Sequence, residues 1–264
     1  MEHQTPTPIT GHTALICLLG SPCAHSISPM MHNASFEALG LDYRYLAFDV
    51  NEATLPTAVA GLKALGARGF NLTMPDKNLM VSLCDDLSTA ARIIGAVNTV
   101  VNENGRLIGH NTDGIGYMQS VKDAGYDIID KKMTLLGAGG AATAILVQAA
   151  LDGLKEISVF VRPTSRFYDR LVHTVDELTK ITDCKIKICD FSDAELLKQE
   201  LADSAILTNG TSVGMAPHED TCPVPEDLVF PDGLIVSDII YNPRETRLLS
   251  MAKHQGNPFF NGSY

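Results

Sequence analysis

Residues 134–144 read TLLGAGGAATA, with three glycines between an apolar run and a run of helix-forming residues. The apolar run is typical of a buried strand, and AATAILVQAALDG (141–153) is typical of a helix. In such a turn Gly137 permits the tight bend, Gly139 lets a ligand approach the backbone, and the small Ala142 lets helix and strand lie close. The stretch therefore predicts a turn that binds the pyrophosphate of a dinucleotide at a helix N-terminus. The alternative, a tight turn without a ligand, is disfavoured by the strand–turn–helix context.

The end of the next strand bears on which dinucleotide binds. ISVFV (157–161) is followed by RPTSR, without the Asp or Glu that commonly holds the ribose of NAD about 20 residues after the turn. The guanidinium groups of Arg162 and Arg166 and the hydroxyl of Thr164 suit a 2′-phosphate. These residues could instead be solvated loop charges. The sequence favours NADP and leaves NAD open.

Strand-like and helix-like runs alternate on both sides of the glycine turn, which implies crossover connections and parallel sheets. We expect an N-terminal α/β domain followed by a Rossmann-type, doubly wound dinucleotide-binding domain. The predicted strands are 14–20, 43–50, 69–74, 133–137, 157–161, 185–191, 205–210 and 234–241, and the predicted helices are 28–40, 54–66, 141–153, 167–180 and 193–204.

The stretch from about 111 to 125 is the expected bridge between the two domains. We assign residues 1–112 to a substrate-binding catalytic domain, to which 245–264 would return, and residues 113–244 to the dinucleotide-binding domain.

Composition excludes several classes of protein. With 45% hydrophobic residues in 264, the chain can bury the cores of two domains. Its net charge of −11 argues against a nucleic-acid or anionic-membrane partner. No apolar run approaches the ~20 residues that span a bilayer, and MEHQTPTPIT does not resemble a signal peptide. The six cysteines form no CxxC pair, so we expect structural thiols, no metal site and a cytoplasmic location.

One lysine stands at the expected end of a strand, in GFNLTMPDKNLM (69–80). Lys77 alone would more often be a surface residue. However, ligands bind at this edge of open α/β sheets, and oxidising an alcohol requires a proton to leave the hydroxyl as hydride leaves carbon. A lysine whose pKa, ordinarily ~10.4, is lowered by desolvation can carry that proton. A nearby aspartate would orient the ammonium group but oppose the lowering.

Ordered motifs over nearly the whole chain resemble those of the shikimate dehydrogenases. The segments SVFVR and TNGTSVGM are more similar to the quinate/shikimate branch than to the shikimate-specific one. The segments that carry the resemblance are GSPCAHSISPMMHN (20–33), GFNLTMPDK (69–77), GAVNTV (95–100), NTDGIG (111–116), LLGAGGAATA (135–144), TNGTSVGM (208–215) and IIYNP (239–243).

The resemblance implies an NAD(P)-dependent oxidoreductase of aromatic amino-acid biosynthesis that interconverts 3-dehydroshikimate and shikimate, with quinate as a further substrate. Lys77 would carry the proton and Asp113 would pair with it. The implied substrate ligands are Ser26 and Ser28 for the carboxylate, Asn71, Thr73, Asn98 and Asp113 for the ring hydroxyls, and Tyr241 beside them. The implied cofactor ligands are Gly137, Ala138, Gly139, Gly140 and Ala141 in the turn, Arg162, Thr164 and Arg166 at the 2′-phosphate, and Gly262 beside the nicotinamide.

Purely structural roles remain as alternatives for several of these residues. Ser28 could be a helix N-cap, Asn98 and Asp113 could cap turns, and Tyr241 could be a partly buried core residue. The family's chains usually continue past a position such as Tyr264, through a glutamine that contacts substrate.

Two other functions stay open at this point. One is a nucleotide-binding regulator that kept the fold without the catalysis, and the other is a dehydrogenase of a different cyclic hydroxy acid. The expected partner is a small polyol carboxylate, and a homodimer is one option for the assembly.

Overall fold

The computed structural model describes residues 8–262, and the chain divides into two units between Thr112 and Asp113. The first unit is a mixed α/β structure that also contains a short 3-10 helix at Leu79–Leu83. Its strands are β1 (Ala14–Gly20), β2 (Tyr43–Asp49), β3 (Gly69–Leu72), β4 (Asp86–Leu87), β5 (Thr99–Glu103) and β6 (Arg106–His110), and its helices are α1 (Ser28–Ala38), α2 (Leu55–Ala64) and α3 (Thr89–Ile94).

The first sheet has the strand order β2-β1-β3-β5-β6-β4. The predicted parallel pairing holds for β1 with β2 and β3, whereas β5 runs antiparallel to both β3 and β6. The expectation of a purely parallel sheet is therefore wrong here. A two-residue hairpin at Asn104 and Gly105, whose φ angles of 54° and 90° are those that Asn-Gly turns favour, makes β5 and β6 antiparallel.

The second unit contains a six-stranded sheet with helices between its strands. Its strands are β7 (Lys132–Leu136), β8 (Glu156–Val161), β9 (Lys185–Asp190), β10 (Ile206–Asn209), β11 (Ile235–Asp238) and β12 (Phe259–Asn261), and its helices are α4 (Asp113–Asp123), α5 (Gly140–Leu151), α6 (Tyr168–Thr179), α7 (Ala194–Leu201) and α8 (Arg247–Gln255). The order is β12-β11-β10-β7-β8-β9, and every neighbouring pair is parallel. This order confirms the doubly wound, Rossmann-type prediction.

The chain after residue 244 differs from the expected arrangement. We expected 245–264 to return to the first domain, but α8 and β12 are part of the second unit. The reason is that β12 pairs with β11, while Leu248, Leu249 and Ala252 of α8 are buried in the core of that unit.

A buried ionic cluster lies at the start of β7 and β8. Lys132 Nζ is 2.7 Å from Glu200 Oε2 and 3.4 Å from Glu156 Oε1, and Lys187 Nζ is 2.8 Å from Glu156 Oε1. Ser158 Oγ also donates to Glu200. Burial alone would raise the pKa of Glu200, but hydrogen bonds from Lys132, Ser158 and Lys187 outweigh burial and lower the pKa to about 2.

The six cysteines are free thiols. None of the helices between residues 8 and 262 has the length and apolar character needed to cross a membrane.

Candidate active site

The glycine turn joins β7 to α5 with the geometry that the sequence predicts. Gly137 has φ +102°, and a Cβ built on it would lie 2.8 Å from Thr211 Cγ2, so only glycine fits. A Cβ on Gly210, at the end of β10, would lie 2.7 Å from the Cβ of Ala142, which confirms the close approach of helix and strand.

The same turn leaves room for a ligand. Gly139 is the N-cap of α5 and has no side chain to cap the helix, and nothing lies within 4 Å of a Cβ built on Gly139 or Gly140. The first N–H groups of α5 therefore have no side-chain cap and lie at the positive end of the helix dipole. Ala138 is buried beneath the turn and Ala141 is exposed on it. The turn fits a dinucleotide pyrophosphate because backbone donors are accessible where no side chain intervenes.

The segment after β8 carries exposed cations. Arg162, Thr164 and Arg166 are all exposed, as a ligand-binding loop requires. The guanidinium carbon of Arg166 lies 4.7 Å from the centroid of the Phe167 ring, and that of Arg170 lies 5.8 Å from it. Within residues 8–262 neither guanidinium forms an ion pair with a carboxylate.

Our sequence reasoning missed Arg170, although the RxxxR spacing of residues 166 and 170 was a usable signal. Because α6 begins at Tyr168, Arg170 is in its first turn. Its guanidinium and that of Arg166 pack on the same aromatic ring.

In the first unit the ends of β3 and β5 carry a connected polar network. Tyr45 Oη donates to Asn71 Oδ1 at 2.8 Å, and Asn71 Nδ2 donates to Thr99 Oγ1 at 3.0 Å. Thr99 Oγ1 in turn donates to Asn98 Oδ1 at 3.0 Å. Thr112 contributes its N–H and its hydroxyl to the same Asn98 oxygen, at 3.0 and 3.2 Å. The structure thus brings Asn71 and Asn98 together, as the motifs predict.

Three members of this network were not predicted: Tyr45, Thr99 and Thr112. Tyr45 is 1% exposed, and its ring stacks on His32 with centroids 4.4 Å apart. Nothing in the local sequence distinguishes it from a core tyrosine. Thr99 directly follows Asn98 and Thr112 directly precedes Asp113, so their position next to a predicted ligand was a usable signal.

Lys77 lies next to this network along the backbone. Its carbonyl accepts the N–H of Val97 at 2.8 Å, which holds the loop after β3 against the segment before Asn98. Lys77 is half-buried, and Thr73 packs so closely on Gly20 that a Cβ there would collide with Thr73. Asp113 is exposed and is the first residue of α4.

Asp76, which our sequence reasoning did not single out, directly precedes Lys77. Its side chain is fully buried, and neither carboxylate oxygen has a hydrogen-bond partner in the part of the chain that the structure describes. Burial, followed by the charge of Glu52, raises the pKa of Asp76 above its ordinary value. The loop after β3 that carries Lys77 thus contains a buried carboxyl group to which no described residue donates a hydrogen bond.

The two serines lie where the chain enters α1. Ser26 Oγ accepts the N–H of Ser28 at 3.2 Å, and both residues are half-buried. The N-cap of α1 is Ile27, with no side-chain cap, so the alternative of Ser28 as an N-cap is wrong. Its hydroxyl is not used to begin the helix.

The last two predicted residues are in the second unit. Tyr241 is 70% exposed, which overturns the alternative of a partly buried core residue. Gly262 has no room for a side chain, because a Cβ on it would lie 2.5 Å from the carbonyl oxygen of Ile239.

Comparison with known proteins gives one consistent result. Residues 18–100 match the family described as the shikimate dehydrogenase substrate binding domain. The chain is 51% identical over 263 residues to the shikimate dehydrogenase (NADP(+)) of Listeria monocytogenes, covering 99% of this chain and 90% of that protein. It is 43% identical over 248 residues to a quinate/shikimate dehydrogenase of Escherichia coli, covering 94% of this chain and 86% of the relative.

A solved structure agrees with these relatives. It is the crystal structure of shikimate 5-dehydrogenase from Listeria monocytogenes in complex with shikimate and NAD. It superimposes with a TM-score of 0.93 at 52% identity, over 97% of this chain and 89% of that one.

One unit has a parallel sheet with a glycine turn, and the other has a polar cluster and a lysine. Together with the relatives, these features indicate an enzyme class, the NAD(P)-dependent oxidoreductases. With relatives this similar over nearly the whole chain, the family is also shown. The chain belongs to the shikimate dehydrogenase family.

Proposed function

We propose that this enzyme interconverts shikimate and 3-dehydroshikimate, with the first unit binding the polyol carboxylate and the second the dinucleotide. The observation that carries the proposal is the network joining Tyr45, Asn71, Thr99 and Asn98 next to Lys77. A set of fixed hydroxyl and amide groups recognises a ring with several hydroxyls, because an analogue lacking one leaves a polar group unpaired. The free thiols agree with a reducing, cytoplasmic location.

The chain's own residues have distinct tasks in this reaction. Ser26 and Ser28 bind the substrate carboxylate, and Asn71, Thr73 and Asn98 hold the ring hydroxyls, with Tyr241 beside them. Lys77 takes the proton of the reacting hydroxyl during oxidation and returns it during reduction, and Asp113 orients its ammonium group. The nicotinamide, when bound beside Gly262, accepts or donates the hydride.

Replacing Lys77 with Ala tests the proton transfer. We expect kcat for shikimate oxidation to fall by about a thousandfold, the usual contribution of a positioned acid–base group, while the Kd of shikimate changes only a few-fold. Initial rates and calorimetric titration measure the two quantities. The matched control is Lys63→Ala, an exposed lysine of the same unit. Undiminished turnover in the Lys77 variant would refute the proton transfer.

For the cofactor we propose a preference for NADP over NAD, with the 2′-phosphate bound by Arg162, Thr164, Arg166 and the newly found Arg170. The Listeria relative is a shikimate dehydrogenase (NADP(+)), whereas the related crystal structure holds NAD, so the choice rests on this chain's own loop. The guanidiniums of Arg166 and Arg170 both pack on the Phe167 ring, and within residues 8–262 neither is paired with a carboxylate, so both can donate to a phosphate.

Replacing Arg170 with Gln tests that preference. We expect the Kd of NADP⁺ to rise about tenfold, since a charge-assisted hydrogen bond contributes about 1.5–3 kcal/mol, while the Kd of NAD⁺ stays within about twofold. Lys180→Gln, at the far end of α6, removes the same charge and is the control. Equal losses for both dinucleotides would mean that Arg170 does not contact the phosphate.

Quinate is a second candidate substrate. The 43% identity to a quinate/shikimate dehydrogenase supports it. Initial rates on shikimate and on quinate, each with NADP and with NAD, separate a shikimate-specific enzyme from one that uses both. An enzyme that binds dinucleotide but oxidises neither acid would instead be the regulator or a dehydrogenase of another cyclic hydroxy acid.

A further inference from the structure

Asp238, the last residue of β11, is a buried carboxylate to which no role has yet been given. It is 1% exposed, yet four hydrogen bonds converge on it. Its Oδ1 accepts from Ile240 N at 3.0 Å and from Asn209 Nδ2 at 3.1 Å. Its Oδ2 accepts from Thr246 Oγ1 at 2.8 Å and again from Asn209 Nδ2 at 3.2 Å. This concentration of donors on one anion requires a physical reason.

The charge is unfavourable in this environment. Burial raises the pKa of Asp238 above its ordinary value, although the donors from Ile240, Asn209 and Thr246 act in the opposite direction. A neutral side chain would avoid this penalty and still fill the space. The carboxylate differs from neutral alternatives in accepting from several donors at once without presenting a donor of its own.

The first segment it holds is the loop after β10. Asn209, fixed through its amide nitrogen by Asp238, uses its Oδ1 to accept both the N–H and the hydroxyl of Thr211, at 3.0 and 2.7 Å. The same amide nitrogen donates to the carbonyl of Val213 at 3.2 Å. Thr211 is the residue against which Gly137 packs. Asp238 thereby fixes the neighbour of the glycine turn.

The other two segments follow Asp238 itself. The bond from Ile240 N holds the turn after β11, where the carbonyl of Ile239 lies against Gly262. Thr246, the N-cap of α8, donates its hydroxyl to Asp238 and accepts the N–H of Leu249 at 3.4 Å. One carboxylate therefore links the residues around Gly137 with those around Gly262, the two glycines proposed to border the dinucleotide.

We propose that Asp238 is a positioning residue for the dinucleotide site, acting through Asn209 and the turn at Ile239 without touching the cofactor. This inference rests on the proposed function only in that a dinucleotide binds along the glycine turn. Asn209 and Asp238 lie at the carboxyl ends of β10 and β11, next to the point where the strand order of the sheet reverses.

The test replaces Asp238 with Asn and measures dinucleotide binding without substrate, by calorimetric titration of NADP⁺. Asn has nearly the same shape, but its amide group presents a donor toward donors. We expect the Kd of NADP⁺ to rise at least tenfold, while KM for shikimate at saturating NADP⁺ stays within twofold. The double variant Asp238→Asn/Asn209→Asp restores one acceptor and one donor across the pair but loses the bond to the Val213 carbonyl, and we expect it to bind NADP⁺ more tightly than Asp238→Asn alone.

A buried carboxylate elsewhere in the same unit is the matched control. Glu200→Gln also removes a buried charge, at the opposite edge of the sheet. We expect it to lower Tm without changing the Kd of NADP⁺. If Asp238→Asn lowers Tm but leaves the Kd unchanged, the positioning role is refuted. If Asp238→Asn does not fold, the double variant decides: a folded double variant with tight NADP⁺ binding supports the proposal, and one that fails to fold or binds weakly overturns it.

The two proposals fail in different ways. Wild-type enzyme that binds NADP⁺ tightly but does not oxidise shikimate would refute the proposed substrate and leave the role of Asp238 intact. Wild-type activity with an unchanged Kd in Asp238→Asn would do the reverse.

Discussion

Asp76, the residue before Lys77, lies in surroundings that disfavour a negative charge. Asp76 is buried without a donor, and burial together with the charge of Glu52 raises its pKa. A carboxyl whose pKa is higher in the folded than in the unfolded state stabilises the fold at low pH. That contribution is lost as the pH rises through the folded-state pKa. At neutral pH the ionised Asp76 is therefore unfavourable.

We accordingly predict that Asp76→Asn raises the free energy of unfolding by about 1 kcal/mol at pH 8, because an amide is less unfavourable than an unpaired carboxylate in this position. The gain should shrink as the pH falls towards 4, because a smaller fraction of Asp76 is then ionised in the folded enzyme. Urea unfolding at both pH values measures it, with the exposed Asp232→Asn as control. A gain of the same size at both pH values would show that the carboxyl charge is not the cause.

At the scale of single residues, the sequence indicated which side chains could bind a ligand better than it indicated which side chains contact one another. The resemblance of its motifs to those of the family indicated Asn71 and Asn98, and the structure joins the two side chains through Thr99. The contribution of Tyr45 could not be read, since β2 reaches Asn71 only through the sheet order. Such contacts depend on tertiary structure and leave no local pattern.

At the scale of secondary-structure elements, the ion pairs of Lys132 with Glu156 and Glu200 connect β7 to β8 and α7. The pKa of Glu200 is lowered to about 2, so its ionised form stabilises the fold above the unfolded-state pKa. That stability is lost as the pH falls from about 4.5 towards 2.

Glu200→Gln should therefore lower the free energy of unfolding by about 2 kcal/mol at pH 7, and the difference from wild type should shrink as the pH falls below about 4.5 and nearly vanish below about pH 2. Denaturant unfolding across that pH range measures both curves. The exposed Glu195→Gln, which removes the i,i+3 pair with Lys198 on α7, should change stability by less than about 0.5 kcal/mol. A difference that persists undiminished at pH 3 would contradict the lowered pKa.

Most elements could be predicted because apolar strands alternate with helix-forming runs and because glycines with positive φ follow the helices, as Gly40 does after α1 and Gly66 after α2. The hairpin between β5 and β6 was missed although Asn104 and Gly105 signal it, because the surrounding segments were read as ligand-binding turns. At three residues, β12 is too short to show an alternating pattern. Its pairing with β11 joins residues that are far apart in the sequence, so no local pattern indicates it.

For the molecule as a whole, the division at Thr112 gives each unit its own sheet and its own core. A ligand that binds only the folded second unit stabilises that unit by RT ln(1 + [L]/Kd), about 2.7 kcal/mol at a hundredfold excess over Kd. The first sheet contains none of the residues proposed to bind the dinucleotide.

We therefore predict that NADP⁺ at a hundred times its Kd slows amide hydrogen exchange in β7, β8 and β10 by about a hundredfold. Exchange in β1 and β3 should slow by less than about threefold. Mass spectrometry of peptides from the whole enzyme, with and without NADP⁺, gives both numbers. Equal slowing in the two sheets would mean that the units open as one.

The exposed loop after β8 has a consequence for how this enzyme can change over evolutionary time. At the glycine turn, where we propose that the main chain binds a dinucleotide, Gly137 has no room for a side chain, so few substitutions are tolerated there. Arg162, Thr164 and Arg166, by contrast, are exposed and contribute little to the core. Substitutions among them would alter the choice of redox carrier with little penalty to folding. A lineage could therefore exchange one nicotinamide pool for the other by drift in a few codons, while the sheet beneath remained as it is.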